Sequence, residues 1–154
     1  MNINFLSPKE KKKLFEEIEN RFGITKEKLK FLFFETGKEK IRAFSGTMTR
    51  EEVYELGKIA NVELIGLYFA KKEGRLRLSF DAATLLRKEE LKSIVEINED
   101  SRNLWMRGEN LDIAVENGVY LIKNKDDVLG CGISDGKKII NCVPKERRIR
   151  KKQY

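Results

Sequence analysis

Leu104-Trp105-Met106-Arg107-Gly108-Glu109, then Leu129-Gly130-Cys131-Gly132, then Asn141-Cys142-Val143-Pro144-Lys145-Glu146-Arg147-Arg148 are the landmarks that decide the fold of this chain. Between them, strand-forming runs recur at residues 119–123, 128–133 and 138–142, punctuated by Asn117-Gly118 and Asp135-Gly136. Closely spaced strands with glycine turns predict a small β-barrel or half-barrel. A short helix over residues 99–106 precedes them and carries Trp105.

Upstream the pattern changes. Ser7-Pro8-Lys9-Glu10 starts a helix, with Ser7 as cap, Pro8 at the first helical position and Glu10 completing a capping box. Leu14, Ile18 and Phe22, with Phe15 beside them, recur at helical spacing until Gly23 ends the helix. The lysines of residues 9–13, interleaved with Glu16 and Glu17, predict a salt-bridged outer face. Residues 29–34 (Leu-Lys-Phe-Leu-Phe-Phe) read as a buried strand rather than an RNA-stacking sheet, because no Lys/Arg-Gly-Phe context accompanies the phenylalanines. Thr36-Gly37-Lys38 turns the chain, and residues 41–44 return with strict alternation.

Thr49-Arg50-Glu51-Glu52 is a second capping box, opening a helix with Val53, Leu56, Ile59 and Ala60 on one face. A strand over 62–70, a turn at Lys72-Glu73-Gly74 and a return at Leu76-Arg77-Leu78 follow. Phe80-Asp81-Ala82-Ala83 starts a short helix to about Leu86, and a further element ends near Ile97. The order α-β-β-α-β-β-α argues an α+β layer. The expected fold is therefore α+β, with an α/β half over residues 1–94 packed on a small barrel over 95–154. The boundary lies near Val95, without a Pro- or Gly-rich linker.

Composition narrows the chemistry. The 154 residues carry 32 Lys and Arg against 25 Asp and Glu, a formal charge of +7, which favours a polyanionic partner. There is no histidine, so Ser-His-Asp or Cys-His activation and a His-ligated metal are excluded. Two cysteines, Cys131 and Cys142, are too few for a Cys₄ zinc site; lying on strands joined by one turn, they read as small buried residues, with a disulfide across the hairpin as the alternative. No catalytic residue, metal or cofactor is expected. No apolar run reaches the ~18 residues that span a bilayer, and the N-terminal order of residues is wrong for a secretory signal. The expected location is cytoplasmic.

The cations fall into groups. Lys145, Arg147, Arg148, Arg150, Lys151 and Lys152 form a tail with Glu146 as its one acid, and without them the acids of the C-terminal half outnumber the bases. Such a cluster suits phosphate contact, or else a solubilising frayed end. Arg107 precedes a glycine that would allow a ligand backbone to approach, or it pairs with Glu109 or Asp112. Lys71, Lys72, Arg75 and Arg77 decorate one hairpin, with Arg75 and Arg77 on the same face opposite Leu76 and Leu78. Trp105 reads as core rather than as a base-stacking platform.

Taken in order, these segments resemble a known family. Residues 64–86 resemble the segment that leads into the RNA-binding module of the Sun/Fmu rRNA cytosine-5 methyltransferases, with Leu78-Ser79-Phe80-Asp81 replacing the family's Arg-Phe-x-Pro. Trp105-Met106-Arg107-Gly108-Glu109 is similar to the family's aromatic-x-Arg-Gly-Glu, and Leu129-Gly130-Cys131-Gly132 to its Leu-Gly-x-Gly. Gly136-Lys137-Lys138, Asn141, Pro144-Lys145 and Arg148 fall where the family shows Gly, Lys-Asn, Pro-Lys and Arg. The module so resembled is of the PUA type (pseudouridine synthase and archaeosine transglycosylase), a small barrel that holds structured RNA.

The methyltransferase domain's Gly-rich loop and Pro-Cys nucleophile do not occur in this sequence. The resemblance therefore implies a non-catalytic RNA-binding region. The two-part layout is also similar to that of a PUA-containing ribosome-assembly factor of archaea and eukaryotes. The expectation is binding of structured RNA, rRNA ahead of tRNA, through Arg75, Arg77, Arg107, Lys137, Lys138, Lys145, Arg147, Arg148, Arg150 and Lys151. Its rivals are a protein-interaction module and an RNA-binding subunit serving a separate methyltransferase chain.

Overall fold

Caps read from the sequence set the helices of the computed structural model, which describes residues 3–37, 39–60, 66–72, 74–86 and 91–150. The expected strand residues 62–65, the turn residues Lys38 and Glu73, and Lys151 and Lys152 of the tail lie outside the described residues. The chain divides into two compact units, Met1–Leu76 and Arg77–Tyr154. That division precedes the boundary expected near Val95, because the helix that follows Ser79 and the strand that begins at Ile94 both pack on strands of the second unit.

In the first unit, β1 (Asn4–Phe5), β2 (Leu32–Thr36), β3 (Lys40–Phe44) and β4 (Leu67–Lys71) lie in that order, with each pair antiparallel. Helix α1 (Pro8–Phe22) has the full capping box, with the Ser7 hydroxyl accepting from Glu10 N at 3.2 Å and the Glu10 carboxylate accepting from Ser7 N at 3.2 Å. Gly23, left-handed at φ 75°, closes it. Helix α2 (Arg50–Ile59) starts with Thr49 Oγ1 accepting from Glu52 N at 3.2 Å.

Neighbouring residues of a strand face opposite sides of its sheet, and β2 uses this to hold both helices. Phe33 meets Phe15 of α1 edge-on at 5.5 Å, while Phe34 clusters with Val53 of α2. Both phenylalanines are buried, as a core strand requires.

Two local expectations are corrected here. Ile59 does not join the apolar face of α2. It is 85% exposed, because six residues on from Val53 it stands well off the stripe that Val53, Leu56, Gly57 and Ala60 form. The lysines early in α1 do not make the expected ion pairs with Glu16 and Glu17. Glu17 pairs with Arg21 at 3.8 Å, and Lys11 lies over the Phe15 ring.

The second unit holds β5 (Arg77–Leu78), α3 (Phe80–Leu85), β6 (Ile94–Glu96), α4 (Glu99–Met106), β7 (Gly118–Asn124), β8 (Asp127–Ser134) and β9 (Ile139–Asn141). Strands β6 to β9 form one sheet in sequence order, with β6 parallel to β7 and the others antiparallel. Leu111 and Ile139 exchange backbone hydrogen bonds of 3.0 and 2.9 Å and extend the sheet beyond β9. Where a small barrel was expected, the pairing among the described residues forms an open sheet. The β7–β8 hairpin turns at Lys125-Asp126, with Lys125 at φ 53°, a turn that no glycine announces.

A bulge organises this sheet. Leu121 pairs with Cys131 and Lys123 with Val128, so Leu129 and Gly130 together oppose Ile122. Gly130 supplies the left-handed φ of 79°. The Leu129 carbonyl then accepts the Trp105 indole N–H at 2.8 Å. Trp105 is fully buried among Val95, Ile97, Leu111, Ile122, Leu129, Ile139 and Val143.

Gly132 lies under the same ring, where a Cβ would stand 2.9 Å from Trp105 Cη2 and 2.4 Å from Ile139 Cγ2. Substitution Gly132→Ala should therefore overpack this core and cost about 1–3 kcal/mol, read as a lower urea midpoint with unchanged slope.

Candidate nucleic-acid interface

A helix leaves its last carbonyls without partners inside the helix, and the site is built from how α4 satisfies its own. The Leu104 carbonyl accepts from Arg107 N and Glu109 N, both at 3.1 Å. The Trp105 carbonyl accepts from Gly108 N at 3.0 Å and from Asn141 Nδ2 at 2.8 Å. The Met106 carbonyl accepts from Ile149 N at 2.7 Å. The cap thus draws on β9 and on the segment beyond the Lys145–Arg147 3₁₀ turn, which ties the chain down as far as Ile149. As far as Ile149 this segment is not the frayed end that its charge alone would allow.

Asn141 is the hub of the arrangement. Its Nδ2 also donates to the Glu109 carbonyl at 2.9 Å, its Oδ1 accepts from Val143 N at 2.8 Å, and its own N–H donates to Asn110 Oδ1 at 2.8 Å. Arg148 crosses Gly108, whose φ of 91° turns the chain, and a Cβ there would stand 2.6 Å from Arg148 Nε. The glycine thus makes room for this chain's own arginine rather than for a ligand backbone. Arg148 Nε donates to the Val143 carbonyl at 3.0 Å, and its two Nη groups have no partner among the described residues.

The outcome is an open cleft of about 530 Å³ lined by Arg107, Glu109, Lys145, Arg148, Ile149 and Arg150. Arg107, Lys145 and Arg150 are exposed, and Arg148 is half-buried. Arg107 makes no ion pair with Glu109, Asp112 or any other carboxylate among the described residues. The negative end of α4 favours cations at this position. Guanidinium groups whose forks are open present planar pairs of N–H donors, the geometry that matches phosphate and carboxylate oxygens.

The other expected site residues lie elsewhere. Lys137 and Lys138 are exposed at the tip between β8 and β9, where their backbone N–H groups donate to Asp135 Oδ1, both at 2.9 Å. Those two bonds hold the Asp135 carboxyl below its ordinary range. Arg147 has turned to Asp81 of α3, 3.0 Å away, an exposed pair worth little to stability. Arg77 is half-buried and donates to Cys142 Sγ at 3.6 Å. Arg75 is exposed and belongs to the first unit, and Lys151 lies outside the described residues.

Neither Ile149 as a cleft residue nor Asn141 as the hub is evident from the sequence alone. An asparagine ahead of Cys142-Val143-Pro144 at the end of a strand is the available signal for the second. Ile149 had none, since only the tertiary cap places it.

Residues 92–149 match the family model described as the methyltransferase RsmF PUA domain, so this part of the second unit is similar to a PUA-type region of Sun/Fmu-family methyltransferases. The match is to that domain and not to a methyltransferase domain, and it does not reach back to the segment over residues 64–86. No curated protein matches the chain.

Replacing Asn141 with Ala should cost about 2 kcal/mol, since two carbonyls and one N–H each lose a hydrogen bond, the Trp105 carbonyl keeping only that from Gly108 N. Amide exchange at Ile149 should accelerate in the same variant. Burial pushes the Cys131 thiol up to about 12, and it raises Cys142 as well. Cys131 should therefore resist a disulfide-exchange reagent at pH 8 in the folded protein and react fully in urea.

Proposed function

We propose that this chain is a non-catalytic binder of structured RNA, rRNA in ribosome assembly or modification ahead of tRNA, and that the cleft at the end of α4 makes the principal contact. The single observation that carries the reading is the set of four cations, Arg107, Lys145, Arg148 and Arg150, gathered on one cleft of a PUA-type region. PUA domains are RNA-binding modules, and the match of residues 92–149 to one of them supports this reading.

The mechanism is recognition of backbone and shape. Arg148 is held through Nε, so it offers its Nη pair to a phosphate with little further ordering cost. Arg107, Lys145 and Arg150 neutralise neighbouring phosphates and release counterions. Lys137 and Lys138 act as outer contacts from the hairpin tip. Arg147 and Arg77 contribute less, since each already has a partner within the second unit. A separate methyltransferase chain remains a candidate partner, and chemistry on RNA belongs to that partner.

Fluorescence anisotropy on a structured rRNA fragment across a salt series tests this reading. The double variant R107A/R150A removes two exposed cations whose side chains make no hydrogen bond or ion pair among the described residues, so its fold is retained. Its affinity should fall roughly tenfold, and the slope of log K against log salt should shrink by about two. A wild-type affinity that is weak and flat with salt would remove the RNA reading.

A further inference from the structure

A cleft that served phosphate alone would gain nothing from a carboxylate, yet Glu109 lines this one among four cations. Its carboxylate makes no ion pair among the described residues, so structural pairing does not account for it. The backbone of Glu109 is fixed on both sides, with its N–H on the Leu104 carbonyl at 3.1 Å and its carbonyl taking Asn141 Nδ2 at 2.9 Å. The root of the side chain is therefore set by the α4 cap. Next to the cations stands Ile149, an apolar side chain left 50% exposed.

We propose that the cleft holds one unpaired nucleotide and that Glu109 selects guanine in it. The proposal rests on the RNA-binding reading above and deepens it. An ionised carboxylate only accepts hydrogen bonds, so it reads donors. Guanine carries N1–H and N2–H side by side on its Watson–Crick edge and can meet both carboxylate oxygens, whereas adenine and cytosine each offer one amine there. Uracil offers a single imino N–H flanked by carbonyls that the carboxylate repels.

That edge is accessible only where the nucleotide is unpaired, in a loop, a bulge or an end. Ile149 supplies a surface for the base, and Arg148 with Lys145 and Arg150 holds the flanking phosphates. A cleft of about 530 Å³ lies within the size range of sites for small ligands. The carboxylate thus adds base choice to a site whose cations would otherwise accept any RNA backbone. Glu109 is a specificity-determining residue in this account, not a source of affinity for RNA in general.

The test uses the full chain and a fluorescein-labelled RNA stem-loop with one guanosine in a uridine loop, set against the same stem-loop carrying uridine, adenosine, cytidine or inosine there. The wild type should bind the guanosine form about tenfold more tightly than the uridine form, and inosine, which lacks the N2 amine, should lose most of that preference. E109Q should bind all five alike, with the salt slope of the wild type unchanged. Salt-sensitive binding without base preference, or a guanosine preference that survives in E109Q, overturns the role of Glu109 and leaves the RNA reading standing. Absence of salt-dependent binding to every stem-loop and to the rRNA fragment overturns both.

Discussion

The seat of Trp105 is the constraint on which the second unit depends. A buried indole must place its N–H on an acceptor, and the acceptor here is the Leu129 carbonyl, freed from the strand ladder by the bulge at Leu129-Gly130. Gly132 keeps the strand beneath the ring flat enough for contact. Three separated stretches of sequence are thereby locked together, since the helix brings the indole, β8 brings the carbonyl and both glycines, and Ile139 of β9 closes the far side. The Leu-Gly-x-Gly pattern is in this sense a mould for one aromatic ring.

From that seat the geometry passes outward to the surface. With Trp105 fixed, the end of α4 has a fixed position, and its exposed carbonyls call for donors. Asn141 and Ile149 meet that need, and in doing so they carry the basic segment back across Gly108. Cations that would have formed a loose arm become the walls of a cleft. A pre-positioned guanidinium loses less freedom on binding than one on a free tail, so the cap at the helix end and the phosphate contact proposed for the cleft would follow from one arrangement. Arg147 shows the contrast, for it points away to Asp81 although its neighbour Arg148 lines the cleft.

Much of this was legible from residues alone. The capping box of α1, the Thr49 cap of α2 (which lacks the reciprocal bond of the expected box), the buried Phe33-Phe34 pair and the extent of α4 follow from local chemistry that acts within a few residues, so a one-dimensional reading recovers them. Strand β1 is only two residues long and leaves no periodic trace. The Lys125-Asp126 turn lacks the glycine that marks such turns, and Ile59 shows that an apolar residue near a stripe need not belong to it. On the candidate cleft, Arg107, Lys145, Arg148 and Arg150 are legible from charge and motif. The role of Gly108, the hub at Asn141 and the division of labour among the tail cations required the tertiary contacts, because each depends on residues more than thirty positions apart being brought together.

Nitrogen-15 chemical-shift mapping of the full chain during titration with a structured rRNA fragment would locate the RNA contact proposed at the end of α4. Amides of Arg107, Gly108 and Glu109 and of residues 145–150 should shift first and most, with Lys137 and Lys138 following. Shifts confined to residues of the first unit, with those amides unmoved at saturation, would contradict it.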